Sequence, residues 1–262
     1  MPLEESTPAI VLRARDYAES DRIVTLLTLN AGKLSGIAKG AKASRHRFER
    51  KLEPFSHVVL HYRRRPHGQL VFITRAEAAD LTQHVLDDDL AKIALGSYML
   101  ELTDALTTEN SEAAEAYRVL SEGLGALSTR FADAALRQAF EMRLLGWAGF
   151  GLEFTRCRIC ATINSANGDN GASSSVYFVV SRGGIVCAKC RPALAEGAIK
   201  LSSKGAAILA RLGRLPMDDS PGSEAAGPDG ALALARFIGS IVDRRLRSQD
   251  FLDSVLPGAG KV

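Results

Sequence analysis

Only four cysteines occur in this 262-residue chain, and they fall as Cys157-x-x-Cys160 and Cys187-x-x-Cys190. A C-x-x-C turn brings two thiolates from one loop to a single ion, and two such turns complete a tetrahedral sulfur shell at about 2.3 Å. The spacing therefore predicts bound Zn2+ with Cys157, Cys160, Cys187 and Cys190 as its ligands. A full sulfur shell leaves no position for water or substrate, so the expected zinc is structural rather than catalytic. Two matched pairs in a chain that reads as cytosolic argue against disulfides and against a redox dithiol. The 26 residues between the pairs exceed a compact module, and "NSANGDNGASSS", Asn164 to Ser175, reads as an inserted flexible loop that explains the excess. Behind it, "VYFVVSRGGIVC" reads as a strand, a Gly183-Gly184 turn and a return strand that delivers the second pair.

The second group of residues able to do chemistry is basic. "GIAKGAKASRHRFERKLEPF", Gly36 to Phe55, carries Lys39, Lys42, Arg45, Arg47, Arg50 and Lys51, and Arg63, Arg64 and Arg65 follow soon after. Through Arg65 the chain has 13 Lys and Arg against 7 Asp and Glu, a net of +6, while the remainder has 20 against 23, a net of −3. The positive charge is read as lying at one end, which predicts an anionic partner for the N-terminal part. A polynucleotide strand would need such cations for its phosphates and a few aromatics for its bases. Tyr17 and Phe48 are the stacking candidates, whereas Tyr62 reads as core.

Catalytic signatures are missing. There is no G-x-x-x-x-G-K-[ST] phosphate loop, no G-x-S-x-G and no H-E-x-x-H, and no carboxylate pair stands out. The reading is therefore a binding protein and not an enzyme. The beginning, "MPLEESTPAI", has acids where a secretory signal needs a basic start, and no apolar run is long enough for a bilayer, so the expected location is cytoplasmic.

These residues need elements to hold them. From Ala9 to Ala79 the pattern is strand, turn, strand: "AIVLRAR", "RIVTLLTLN", "KLSGIAKGA", "HVVLHYRRR" and "QLVFITRAE". Five short strands with one long connection between the third and fourth predict a small OB-like barrel. Near Leu81 the texture changes. Asp87, Asp88 and Asp89 suit a helix start, and amphipathic helices follow over "SEAAEAYRVLSEGLGALST", "ADAALRQAFEMRLLGWAGF", "RPALAEGAIKLSSKGAAILARLGRL" and "GALALARFIGSIVDRRLRSQDFLDSVL". Pro216 to Gly230 reads as a surface loop. The expected fold is α+β and multi-domain: an OB-fold nucleic-acid-binding domain over 1–80, then a helical domain over 81–262 with an inserted zinc module at 157–190.

Taken together these parts resemble the RecO family of bacterial recombination mediators. The resemblance rests on Asp16 to Asp21, Gly32-Lys33-Leu34, Lys39-Gly40-Ala41-Lys42 and Leu52-Glu53-Pro54-Phe55, on "FEMRLLGWAGF" before the cysteines, and on "LRSQDFL" near the end. It covers nearly the whole chain. Two departures concern the metal loop: Ala161 stands where the family often has Gly, and the insertion is longer than usual. The resemblance implies a protein that binds single- and double-stranded DNA, anneals complementary strands without ATP, and with RecR helps load RecA onto DNA coated by single-strand binding protein. It also implies a nucleoid-associated location. The DNA-binding candidates are then Lys39, Lys42, Arg45, Arg47, Arg50, Lys51, Arg63, Arg64 and Arg65. Arg137 or Arg143, with Leu144 and Trp147 on the same helix, is the expected cation for the acidic tail of single-strand binding protein. Competing readings are a zinc-ribbon and OB protein acting on RNA or in transcription, and a non-catalytic scaffold whose basic loop meets an acidic protein.

Overall fold

The structure is a computed structural model that describes residues 3–44, 46–48, 50–65, 70–79, 89–109, 111–164, 175–194, 197–217 and 224–256. By packing the chain divides into two compact units, Met1–Ser128 and Thr129–Val262. The change of texture at residues 80 and 81 and this packing division differ, because two helices share a unit with the barrel.

In the first unit, β1 (Glu4–Tyr17), β2 (Asp21–Thr28), β3 (Gly32–Ala38), β4 (His57–Arg63) and β5 (Val71–Ala78) close into a barrel of order β1-β2-β3-β5-β4. All neighbours are antiparallel except β3 and β5, which run parallel with Ile37 opposite Phe72. This is the five-stranded OB-like barrel that the strand pattern predicts. Closure leaves no unpaired sheet edge, and alternate residues such as Ala9, Val11, Val24, Leu26, Leu34, Leu60 and Ile73 fill the inside. Ile10 and Leu27, on the other face, are buried as well, which is why β2 reads as a nearly continuous apolar run.

The long connection from β3 to β4 is not a free loop. Phe48 and Leu52 enter the barrel core, the Ala76 N–H donates to the Arg47 carbonyl at 3.0 Å, and the Phe55 N–H donates to the Val11 carbonyl at 3.1 Å.

Helices α1 (Leu90–Leu106) and α2 (Ala114–Thr129) complete this unit. The Asp89 side chain caps α1 by accepting from the Ala91 and Lys92 N–H groups, while Asp87 and Asp88 lie outside the described residues. The Gly32-Lys33-Leu34 turn fits against the α1–α2 connection. Gly32 has φ +68°, and a Cβ there would sit 1.9 Å from the Ser111 carbonyl oxygen, so only glycine serves. Lys33 is buried and donates to the Asp104 carbonyl at 2.7 Å and its carboxylate at 3.2 Å.

In the second unit, α3 (Ala134–Trp147) is followed by β6 (Ser175–Val179), β7 (Gly184–Cys187) and β8 (Ile199–Ser202), a three-stranded sheet of order β7-β6-β8, and by α4 (Ser203–Leu212), α5 (Gly227–Ile241) and α6 (Arg247–Val255). Two readings change here. The stretch after Cys190 is not one helix: it forms a short 3-10 turn and β8 before α4, whose start is fixed by the Ser202 hydroxyl accepting from the Gly205 N–H at 2.9 Å. Gly227 to Gly230 belong to the first turn of α5 rather than to a loop, with Pro228 at a position where its missing N–H costs nothing. Of the expected insertion, Asn164 to Ser175, residues 165–174 lie outside the described residues.

Candidate metal centre and nucleic-acid interface

The sequence brings the four cysteines together through a hairpin and two tight turns. β6 and β7 pair with Val176 opposite Cys187, so the sheet sets the second cysteine pair at the hairpin's end. Ahead of it, the Arg158 N–H donates to Ile185 and the Ile185 N–H to Glu153, which ties the first cysteine loop alongside β7. Gly184 makes that approach possible, since a Cβ there would meet the Glu153 carbonyl at 2.9 Å.

All four sulfurs lie within 4.8 Å of one another. The Cys160 and Cys187 sulfurs are 3.7 Å apart, which matches the edge of about 3.8 Å for a tetrahedron with metal–sulfur bonds of about 2.3 Å. Backbone N–H groups of Ile159 and Cys187 each point at the Cys157 sulfur at 3.4 Å. Burial opposes ionisation of Cys157, yet N–H groups of residues 160, 187 and 159 outweigh it and hold the thiol below its ordinary value. The Thr162 hydroxyl and N–H hold Cys160 down to about 6, while a thiol hydrogen bond with Cys160 pushes Cys190 up to about 12. Sulfurs this close repel one another as thiolates, and a divalent cation among them removes that repulsion. The donor set therefore fits a soft metal ion held by Cys157, Cys160, Cys187 and Cys190. Ala161 stands at φ +59°, a left-handed conformation that favours glycine, which is a physical reason for glycine at this place in the turn.

On the barrel, several of the basic residues come together around the β1–β2 turn. The Gly40 N–H donates to Asp21 at 2.8 Å, and the Lys42 ammonium donates to the Ala18 carbonyl at 3.2 Å and pairs with Asp16 at 3.2 Å. Its bond from Lys42 holds the Asp16 carboxyl below the usual range. Arg47 donates to the Lys39 carbonyl at 3.1 Å and lies 5.1 Å over the Phe48 ring. Lys39, Lys42 and Arg47 are thus gathered beside the turn that carries Tyr17, whose side chain is 52% exposed. Lys39 and Arg50 are exposed, Lys51 is half-buried, and none of the three makes an ion pair among the described residues. Arg45 lies outside the described residues.

Arg63, the last residue of β4, stands across β5 from the end of β3, and Arg64 and Arg65 follow it. Arg63 pairs with Glu4 at 3.8 Å, Arg64 with Glu5 at 3.2 Å, and Arg65 lies 6.0 Å over Phe72. Two further arginines escaped the sequence reading. Arg13 and Arg15, with Ile23, Thr25, Ser35 and Leu70, line a depression of about 160 Å³ on the outer face of the barrel. Their signal was the alternation of basic and apolar residues in "VLRAR".

Phe48 is not a stacking residue in this fold. It is 2% exposed and part of the barrel core, with a guanidinium over its ring, so no face is left for a base. Tyr62 is likewise buried and donates its hydroxyl to Glu5 at 2.7 Å; burial and that bond push its ionisation up to about 12.

The family model described as Recombination protein O N terminal matches residues 1–82, and that described as Recombination protein O C terminal matches residues 87–251. The chain belongs to the RecO family. It is 38% identical to a protein named DNA repair protein RecO from an Anaeromyxobacter species, over 96% of both chains. Proteins of the same name from Anaeromyxobacter dehalogenans and Myxococcus xanthus are 34% and 33% identical, with the alignments covering 96% and 94% of this chain and 96% of each relative. As a RecO chain it acts in DNA repair and recombination, and the barrel with its basic loop is the part matched by the N-terminal model.

Within this RecO chain the expected partner cation Arg137 is misplaced. It is 2% exposed, bonds Glu141 at 2.8 Å along α3 and reaches Asp253 of α6 at 3.0 Å. It pins α6 to α3 rather than meeting a partner. Arg143 is half-buried on the same helix, Leu144 is buried and Trp147 is half-buried. The charge tally also needs correction. Between Glu153 and Lys204 there are seven Lys and Arg against three Asp and Glu, a net of +4, so the positive charge is not confined to the N-terminal end. Among the described residues, no helix is long and apolar enough to cross a membrane.

Proposed function

We propose that this RecO-family chain binds single- and double-stranded DNA along the barrel, anneals complementary strands without ATP, and with RecR helps load RecA onto DNA coated by single-strand binding protein. The observation that carries this reading is the gathering of Lys39, Lys42 and Arg47 beside exposed Tyr17 on a closed barrel. Cations along such a surface take up phosphates and release counterions without reading sequence. Lys42 trades its pairing with Asp16 for a phosphate. Neutralising two backbones lowers the repulsion that keeps complementary strands apart, and annealing follows without bond chemistry or a nucleotide cofactor. Tyr17 offers a base one stacking face.

Zn2+ is the ion proposed for the four cysteines, with a structural role: it would hold the hairpin and the first cysteine loop together. The chain would work in the cytoplasm at the nucleoid. Arg143 remains the proposed cation for the tail of single-strand binding protein, and Arg143→Ala should weaken binding of a tail peptide; unchanged affinity removes it from the site.

The direct test is annealing of complementary strands precoated with single-strand binding protein, run without ATP, with RNA strands in parallel. Annealing of coated DNA supports the reading. Failure on DNA with success on RNA would move the protein to the RNA reading, and failure on both would overturn strand annealing.

A further inference from the structure

The cations of the metal module are not spread evenly. Lys189 and Arg191 flank Cys190 directly, and Lys200 lies on β8 opposite Tyr177 of β6 in the register of the sheet. Arg191 lies over the Tyr177 ring with its guanidinium carbon 4.8 Å from the ring centre. Lys189, Arg191 and Lys200 are exposed and meet no carboxylate among the described residues. Of the three acids in this stretch, Glu153 is occupied by Thr155, and Asp169 and Glu196 lie outside the described residues.

We propose that Tyr177 and Arg191, with Lys189 and Lys200, form a second nucleic-acid surface on the metal module, one that takes a single strand by its phosphates and stacks a base on the Arg191–Tyr177 pair. This goes beyond the barrel site and rests on the DNA role proposed above. An acidic peptide would need only the charges. A guanidinium already held over an aromatic ring supplies in addition a positively charged group beside a π face, which is what an unpaired base uses. Lys189 sits in the turn that Cys187 and Cys190 define and Arg191 directly follows it, so an ion held by the cysteines would fix the spacing of these phosphate contacts. A protein that anneals strands has a use for two separate grips.

Three variants of the metal-loaded full chain test this by fluorescence anisotropy with a labelled mixed-sequence single strand across a salt series. In Lys189→Ala/Arg191→Ala/Lys200→Ala the slope of log affinity against log salt should fall by about 2, since each phosphate contact on a single strand contributes about 0.7. Metal content and circular dichroism should stay as in the wild type. Lys200→Glu, a single exposed change away from the cysteines, should lower affinity several-fold and serves if the triple variant misfolds. Lys39→Ala/Lys42→Ala/Arg47→Ala should lower the slope independently. If the module variants lose metal affinity but keep the wild-type slope, the cations only offset the charge of the sulfur shell and the proposal is overturned. If they keep both, the proposal is overturned while the barrel reading stands. A wild type that binds no DNA at any salt overturns both.

Discussion

Among the described residues, fourteen buried side chains fill the barrel, whereas the cluster under the cysteines contains only Cys157, Val179 and Val186. Both are small β structures that hold cations out toward solvent, but they reach rigidity differently. The barrel closes its hydrogen-bond ladder on itself and buries a core large enough to stand without help. The hairpin at the cysteines buries too little apolar surface for that, and its turns converge on sulfur instead. The same protein thus contains one module held by the hydrophobic effect and one that waits for an ion.

Metal removal should separate them most strongly. Structural zinc in small modules is worth on the order of 10 kcal/mol of coupled folding. Chelation, or Cys157→Ser, is expected to abolish amide hydrogen-exchange protection in β6 and β7 while β1 to β3 keep theirs. Loss of protection in both regions would erase the contrast.

Next in size are two buried side chains, one in each unit. Phe48→Ala should cost about 3–5 kcal/mol of barrel stability by opening a cavity, read by chemical denaturation. Arg137→Ala should cost a similar ~3–5 kcal/mol in the second unit by taking the guanidinium away from buried Glu141 and from Asp253. An exposed stacking aromatic or a surface arginine would cost far less, so each measurement also tells a buried side chain from a solvent-facing one.

These two residues show where the sequence was opaque. Phe48 sits among Arg47, Arg50 and Lys51, and its neighbours suggest a solvent-facing aromatic; only the return of the loop over the barrel end, fixed by Ala76 and Val11, sends it inward. Arg137 reads as an ordinary helix-surface charge because its second partner, Asp253, is 116 residues away. The cysteine cluster and the five strands were legible because their signals are local: a two-residue spacer, a Gly183-Gly184 turn, an alternation of apolar residues. The basic character of the metal module was local too. It was lost by summing charge over the whole chain after Arg65, where acids elsewhere cancelled it. Strand β8 was hidden because four residues inside a longer helix-like run are too few for periodicity to distinguish.

A smaller effect sharpens the contrast from the opposite direction. Ala161→Gly relieves a left-handed residue in the first cysteine turn and should tighten metal binding by about 1 kcal/mol, roughly fivefold, in a chelator competition. No change in barrel stability should accompany it.

The central claim is that DNA is gripped by the cations gathered on the barrel. It is tested most directly by the salt dependence of single-strand binding in Lys39→Ala/Lys42→Ala/Arg45→Ala/Arg47→Ala. Loss of four phosphate contacts should weaken binding and lower the slope of log affinity against log salt by about 3. A slope equal to that of the wild type would place the grip elsewhere and contradict the account.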